Sequence, residues 1–148
     1  WNVILGNLEM ERTFTGSMYV AQAQSVVDDA LAHAKEREQF GRPIGKFQSI
    51  AHMLADMQTE VDAARLLVYR AAWTIDQGEP AGKEVSMAKL FASETLMRVA
   101  TQGMQVMGGY GYCMEYDMQR YFRDAKITTV SAGTSQMQRL IIARHLGL

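Results

Sequence analysis

Apolar residues recur three or four positions apart from Phe47 onward, at Ile50, Leu54, Met57, Val61, Ala64, Val68, Ala71 and Ile75. That spacing is the seam of an α-helix packed at a shallow angle in a bundle. The segment is predicted to stop at Gly78, a residue suited to the left-handed position beyond a helix end, and Pro80 prevents its resumption. An earlier helix is predicted through Val20, Val27, Leu31 and Ala34, ending near the breaker stretch FGRPIG at 40–45. A third runs through Val85, Ala88, Ala92, Leu96, Val99 and Val106 and ends at the glycine-rich GGYGY, 108–112.

Beyond these three, a short helical turn is predicted at YDMQRYFRD, 116–124, and a last helix carries Met137, Leu140 and Ile141 behind a cap at Thr134 or Ser135. ITTV, 127–130, is too short to build a sheet, and no other run alternates convincingly. The expected fold class is all-α: an up-and-down four-helix bundle with an appended short helix, in a single domain spanning 1–148.

Composition narrows the function. A chain of 148 residues is long enough to bury a core without disulfides. Fifteen basic and sixteen acidic residues give a net charge of -1, spread along the chain, so no basic field invites nucleic acid. The single cysteine, Cys113, cannot pair within the chain, and His33, His52 and His145 are too widely spaced to suggest a metal site. No apolar run approaches the ~18 residues of a membrane span, and the amino end lacks a signal-peptide pattern, so a soluble protein of a reducing, cytoplasm-like compartment is expected. Eleven methionines, Met53, Met57, Met87 and Met97 among them, read as adaptable core filler.

Two loops could carry chemistry: REQFGRPIGKFQ at 37–48 and QVMGGYGY at 105–112. Neither follows a strand, and GGYGY lacks the spacing of a dinucleotide fingerprint, so each alone reads as a helix connection. Together they offer Arg37 as a fork for phosphate, Phe40 as a face for a ring, the amides of Gln39, Gln48 and Gln105, and the bare backbone of Gly108 and Gly109. The helix start GTSQ, 133–136, adds free N–H groups, which serve either an ordinary cap or an anionic ligand. Arg123 and Asp124 read as a structural ion pair. In LEMERT, 8–13, Glu9 and Glu11 read as solvated helix charge or, alternatively, as a general base at a pocket edge.

The ordered set AKEREQFGRPIGKFQSIAHMLADM (34–57), QVMGGYGY, RDAKI and AGTSQMQRLIIAR resembles the C-terminal helical domain of the FAD-dependent acyl-CoA dehydrogenases over essentially the whole chain. The resemblance implies α,β-desaturation of an acyl-CoA thioester: a carboxylate removes the α proton and the β hydride goes to FAD. In the commonest arrangement of the family a glutamate stands immediately before G-T-S-Q, where this chain has Ala132. A subset resembling isovaleryl-CoA and long-chain acyl-CoA dehydrogenases instead places it on the first helix in an L-x-x-E-R context, which Glu11 matches.

By the same resemblance, Arg12 matches a position near the thioester, while Arg37, Gln39, Phe40 and Gln48 match contacts to the adenosine pyrophosphate side of FAD. Gln105, Gly108 and Gly109 match a second contact set, and Thr134 and Gln136 a third. Gln39 departs from the threonine of some relatives. Several such contacts reach a flavin held mainly by a neighbouring subunit, which implies a homo-oligomer, a dimer or tetramer, with an electron-transfer protein as acceptor in the full-length enzyme. The chain begins at Trp1 rather than methionine. It is expected to be the C-terminal domain of a longer dehydrogenase, bacterial and cytoplasmic or, alternatively, of the mitochondrial matrix, whose amino-terminal helical and middle β domains lie outside these residues. The alternatives are a non-catalytic helical interaction module and, within the enzyme class, a relative that reduces an enoyl-CoA or passes electrons to oxygen.

Overall fold

The computed structural model describes residues 2–148, with side chains from Gly6 onward; Trp1 lies outside the described residues. In chain order the elements are α1 (Asn2–Glu36), a hairpin of β1 (Glu38–Gln39) and β2 (Arg42–Pro43), a 3-10 turn (Ile44–Lys46), α2 (Gln48–Asp76), α3 (Gly82–Met107), α4 (Gly109–Tyr112), α5 (Met118–Thr128) and α6 (Ser135–His145). The expected all-α bundle is present. Its fourth position is filled by two short helices, α5 and α6, both packed on α3.

Side-chain contacts fix the helix directions. Gln24 bonds Gln58 at 3.0 Å, and Gly16 faces Val68, so residue numbers rise on α1 as they fall on α2. Arg98 meets Glu60 at 2.8 Å and Arg70 meets Glu84 at 3.3 Å, so α2 and α3 are antiparallel as well. Consequently α1 and α3 run parallel, with Val26 against Gly103.

The predicted seam of α2 is buried from Leu54 through Ala71, although its last buried residue is Thr74 rather than Ile75. Gly78 has φ 72 and its N–H reaches Ile75 O at 2.9 Å, the left-handed stop expected there. Helix α3 is the centre of the molecule and contacts α1, α2, α4, α5 and α6. Small residues make this possible: Ala88, Ala92, Ser93, Ala100 and Gly103 are all buried, and each lets a neighbouring helix approach closely.

Three sequence expectations need correction. A hairpin exists where no strand was expected: Gln39 pairs with Arg42 and Glu38 with Pro43. Its turn residues Phe40 (φ 54) and Gly41 (φ 78) are both left-handed, the combination a two-residue hairpin loop requires, so turn chemistry rather than hydrophobic alternation makes it. On α6 the apolar Met137 and Leu140 are exposed, and the buried residues are Ser135 and Gln138. Finally, Arg123 and Asp124 are both exposed, and the ion pair on that helix joins Arg120 to Asp117 at 3.0 Å. No described helix is long and apolar enough to cross a membrane.

Candidate functional site

Two regions collect the residues singled out from the sequence. The first lies where the chain leaves α1 and where α3 gives way to α4. Arg37, Gln39, Gly108 and Gly109 line one concavity of about 490 Å³, walled by His33, Ile44 and Tyr110. Gly108 takes φ 60 and ψ -137, which only glycine adopts without strain. A Cβ added at Gly108 or Gly109 would meet nothing within 4 Å, so the backbone there faces open space and a ligand can come close to it.

The guanidinium of Arg37 lies 5.3 Å from the Tyr110 ring centroid, and the His33 ring 5.9 Å from it on a tilted approach. Burial first, and the Arg37 charge second, hold His33 below its ordinary pKa, so its imidazole favours the neutral form. A fixed cation, a neutral imidazole, an aromatic wall and bare backbone suit a ligand that joins an anionic group to a ring system. The adenosine diphosphate half of FAD has that chemistry, and the residues fit it.

Not every predicted residue shares this concavity. Phe40 is 92% exposed at the hairpin tip, with its ring edge-on to Phe47 at 6.1 Å. Gln48 opens α2 and Gln105 lies one turn before Gly108; both are exposed, and neither lines the cavity. Thr134 and Gln136 stand apart at the start of α6. There Thr134, one of the two caps the sequence offered, caps the helix by accepting the Met137 N–H at 3.2 Å.

The second region is the loop joining α5 to α6. Its consecutive residues Ala132 (φ 52) and Gly133 (φ 94) are left-handed, a conformation that costs a non-glycine residue ~1–2 kcal/mol. Side chains from three helices hold it. Arg12 Nε donates to the Ala132 carbonyl at 3.1 Å, and Gln138 Nε2 to the Ala132 and Gly133 carbonyls at 3.2 and 3.0 Å. Lys89 Nζ donates to Gly133 O at 2.8 Å and to Thr128 O at 2.9 Å. The hydroxyls of Tyr19 and Ser131 share a further bond of 2.9 Å.

Helix α1 is thus stitched to this loop, and Glu11 directly precedes the residue that makes one of the stitches. Glu11 is exposed and Arg12 half-buried, while Glu9 turns toward Gly82 and His145. Sequence reasoning missed Lys89, which is wholly buried. A signal was available: Lys89 falls four residues after Val85 and three before Ala92, on the buried seam of α3.

The sequence matches the family described as acyl-CoA dehydrogenase, C-terminal domain, over residues 1–147. It is 48% identical over 142 residues to a probable acyl-CoA dehydrogenase of Bacillus subtilis, covering 96% of this chain and 37% of that protein. With a 3-(aryl)acrylate reductase of Clostridium sporogenes the identity is 44% over 139 residues, covering 94% of this chain and 37% of the relative. Among solved structures, butyryl-CoA dehydrogenase from Megasphaera elsdenii superimposes with a TM-score of 0.93 at 40% identity, over 95% of this chain and 37% of that one. The chain therefore spans a little over a third of the length of these relatives. Fold, ordered motifs and matched length agree: the chain belongs to the acyl-CoA dehydrogenase C-terminal domain family.

Proposed function

We propose that this chain is the C-terminal helical domain of an FAD-dependent acyl-CoA dehydrogenase in which Glu11 removes the α proton of an acyl-CoA thioester. The observation that carries the reading is the bond from Arg12 Nε to the Ala132 carbonyl at 3.1 Å. It sets the residue after Glu11 beside the position where the commonest family arrangement has its glutamate. A carboxylate on α1 can therefore serve the same substrate carbon as one on the loop, and alanine at 132 leaves room for it. Glu11 is exposed in this chain. Burial beneath a bound thioester would raise a carboxylate's proton affinity toward that of a working base.

Arg37 would balance the pyrophosphate charge, with Gly108 and Gly109 giving close backbone approach beside it. The bound flavin supplies the acceptor for the β hydride. Thr134 and Gln136 lie outside that concavity, which fits their being a third contact set, directed at the flavin of a neighbouring copy in a dimer or tetramer. Exposed Met10, Phe14, Tyr69 and Trp73 support burial against further domains or subunits. The relatives compared are bacterial, which supports a bacterial, cytoplasmic enzyme; delivery of its electrons to an acceptor protein rests on the resemblance to the FAD-dependent dehydrogenases.

The test is Glu11→Gln in the complete flavoenzyme, mixed anaerobically with acyl-CoA while flavin absorbance is followed. Reduction should slow by at least ~100-fold with FAD still bound. Reduction at the wild-type rate would remove Glu11 from the mechanism.

A further inference from the structure

We propose that Lys89 is a positioning residue: its buried ammonium ties the Gly133 carbonyl to the end of α5 and so sets the loop that presents residue 132 and opens α6. The catalytic meaning of this rests on the function proposed above; the clamp itself does not.

Lys89 has no exposed surface, and a buried ammonium is costly unless its donors are satisfied. What satisfies it is backbone rather than a carboxylate: Thr128 O at 2.9 Å and Gly133 O at 2.8 Å. Thr128 is the last residue of α5, so the cation sits where the helix dipole is negative. The same Gly133 carbonyl accepts from Gln138 at 3.0 Å, and the adjoining Ala132 carbonyl accepts from Arg12 and Gln138. Two successive carbonyls are thus turned inward onto donors from α1, α3 and α6. A loop that only connected two helices could leave those carbonyls to water; here consecutive left-handed residues turn them inward, and Lys89 is the donor that also reaches α5.

The charged groups around Lys89 are Arg12 of α1, which opposes its protonation, and Glu94 of α3, which favours it. Burial is the larger influence, and the ammonium is brought down to about 8. Loss of its proton replaces charge-assisted bonds with weaker neutral ones at two known peptide groups.

The experiment is an NMR pH titration of the 148-residue chain without flavin, following the Lys89 side chain and the amide nitrogens of Thr129 and Thr134, whose peptide carbonyls Lys89 holds. Both amides should titrate together with Lys89, with a midpoint near 8. In Lys89→Met, hydrogen exchange at Ser135, whose N–H donates to Thr129 O at 3.0 Å across the loop, should speed up by about tenfold or more relative to the α3 core, and Lys89→Arg should restore the slow exchange. A purely structural lysine would instead change exchange uniformly through the core. If both variants fail to fold, the wild-type titration decides: amides that ignore the ionisation of Lys89 overturn the clamp. A failure of the complete enzyme to bind FAD would overturn the functional reading and leave the clamp standing.

Discussion

Arg12 and Ala132 are 120 positions apart in sequence, and the Arg12 Nε donates to the Ala132 carbonyl at 3.1 Å. Gln138 Nε2 reaches the same oxygen at 3.2 Å, so losing Arg12 would weaken this anchor without orphaning it. Arg12→Met should lower unfolding free energy by about 1–2 kcal/mol in urea titrations. An unchanged midpoint would mean that Gln138 alone suffices to hold the Ala132 carbonyl.

Gly103 sits where α3 crosses α1 and α5. A Cβ there would lie 2.7 Å from Val26 Cγ1 and 2.9 Å from Met118 Sδ. Met118 can swing aside, but a branched valine on a rigid helix cannot. Gly103→Ala should therefore destabilise by about 1–3 kcal/mol despite its better helix propensity. A stabilised variant would show that the two helices separate more easily than this packing allows.

Lys89 also gives the protein a pH signature. Its folded value, about 8, lies below its ordinary 10.5, so between the two the unfolded chain holds the extra proton and stability rises with pH. Unfolding titrations across that window should show the rise in wild type and not in Lys89→Met. The comparison cancels other groups that titrate nearby, such as Tyr121, whose pKa is raised chiefly by burial. Equal slopes in the two proteins would place the Lys89 ammonium in a wetter site than its contacts indicate.

The three long helices were legible because burial on them follows the 3.6-residue period, and Gly78 and Thr134 because a helix end needs a left-handed residue or a cap. Sequence also named Arg37, Gln39, Gly108 and Gly109, which the fold gathers into one concavity. The clamp around Ala132 was hidden. Its acceptors are backbone carbonyls, which any residue supplies, and its donors lie on helices far apart in the chain. The apolar face of α6 misled for a related reason: Met137 and Leu140 carry the helical period outward, toward surfaces that this chain does not itself cover.

His33 offers a probe of the concavity. Its pKa is depressed by burial and then by Arg37, so just below 6.5 the unfolded chain takes up the proton first and His33 contributes stability that is lost as pH falls. Neutralising Arg37 with bound ADP should raise the His33 midpoint seen by NMR, and Arg37→Gln should abolish the response. A His33 titration indifferent to saturating ADP would separate Arg37 from anion binding.

The central claim is that Glu11 and a glutamate at 132 can serve one substrate carbon. It is tested most directly by adding Ala132→Glu to Glu11→Gln in the complete flavoenzyme and measuring flavin reduction by acyl-CoA. The backbone at 132 already carries a Cβ at φ 52, so the longer side chain adds no new demand on its conformation. The account predicts that the double variant recovers substantial reduction where Glu11→Gln alone has almost none. A double variant as inert as the single one, with FAD bound and the fold intact, would contradict it.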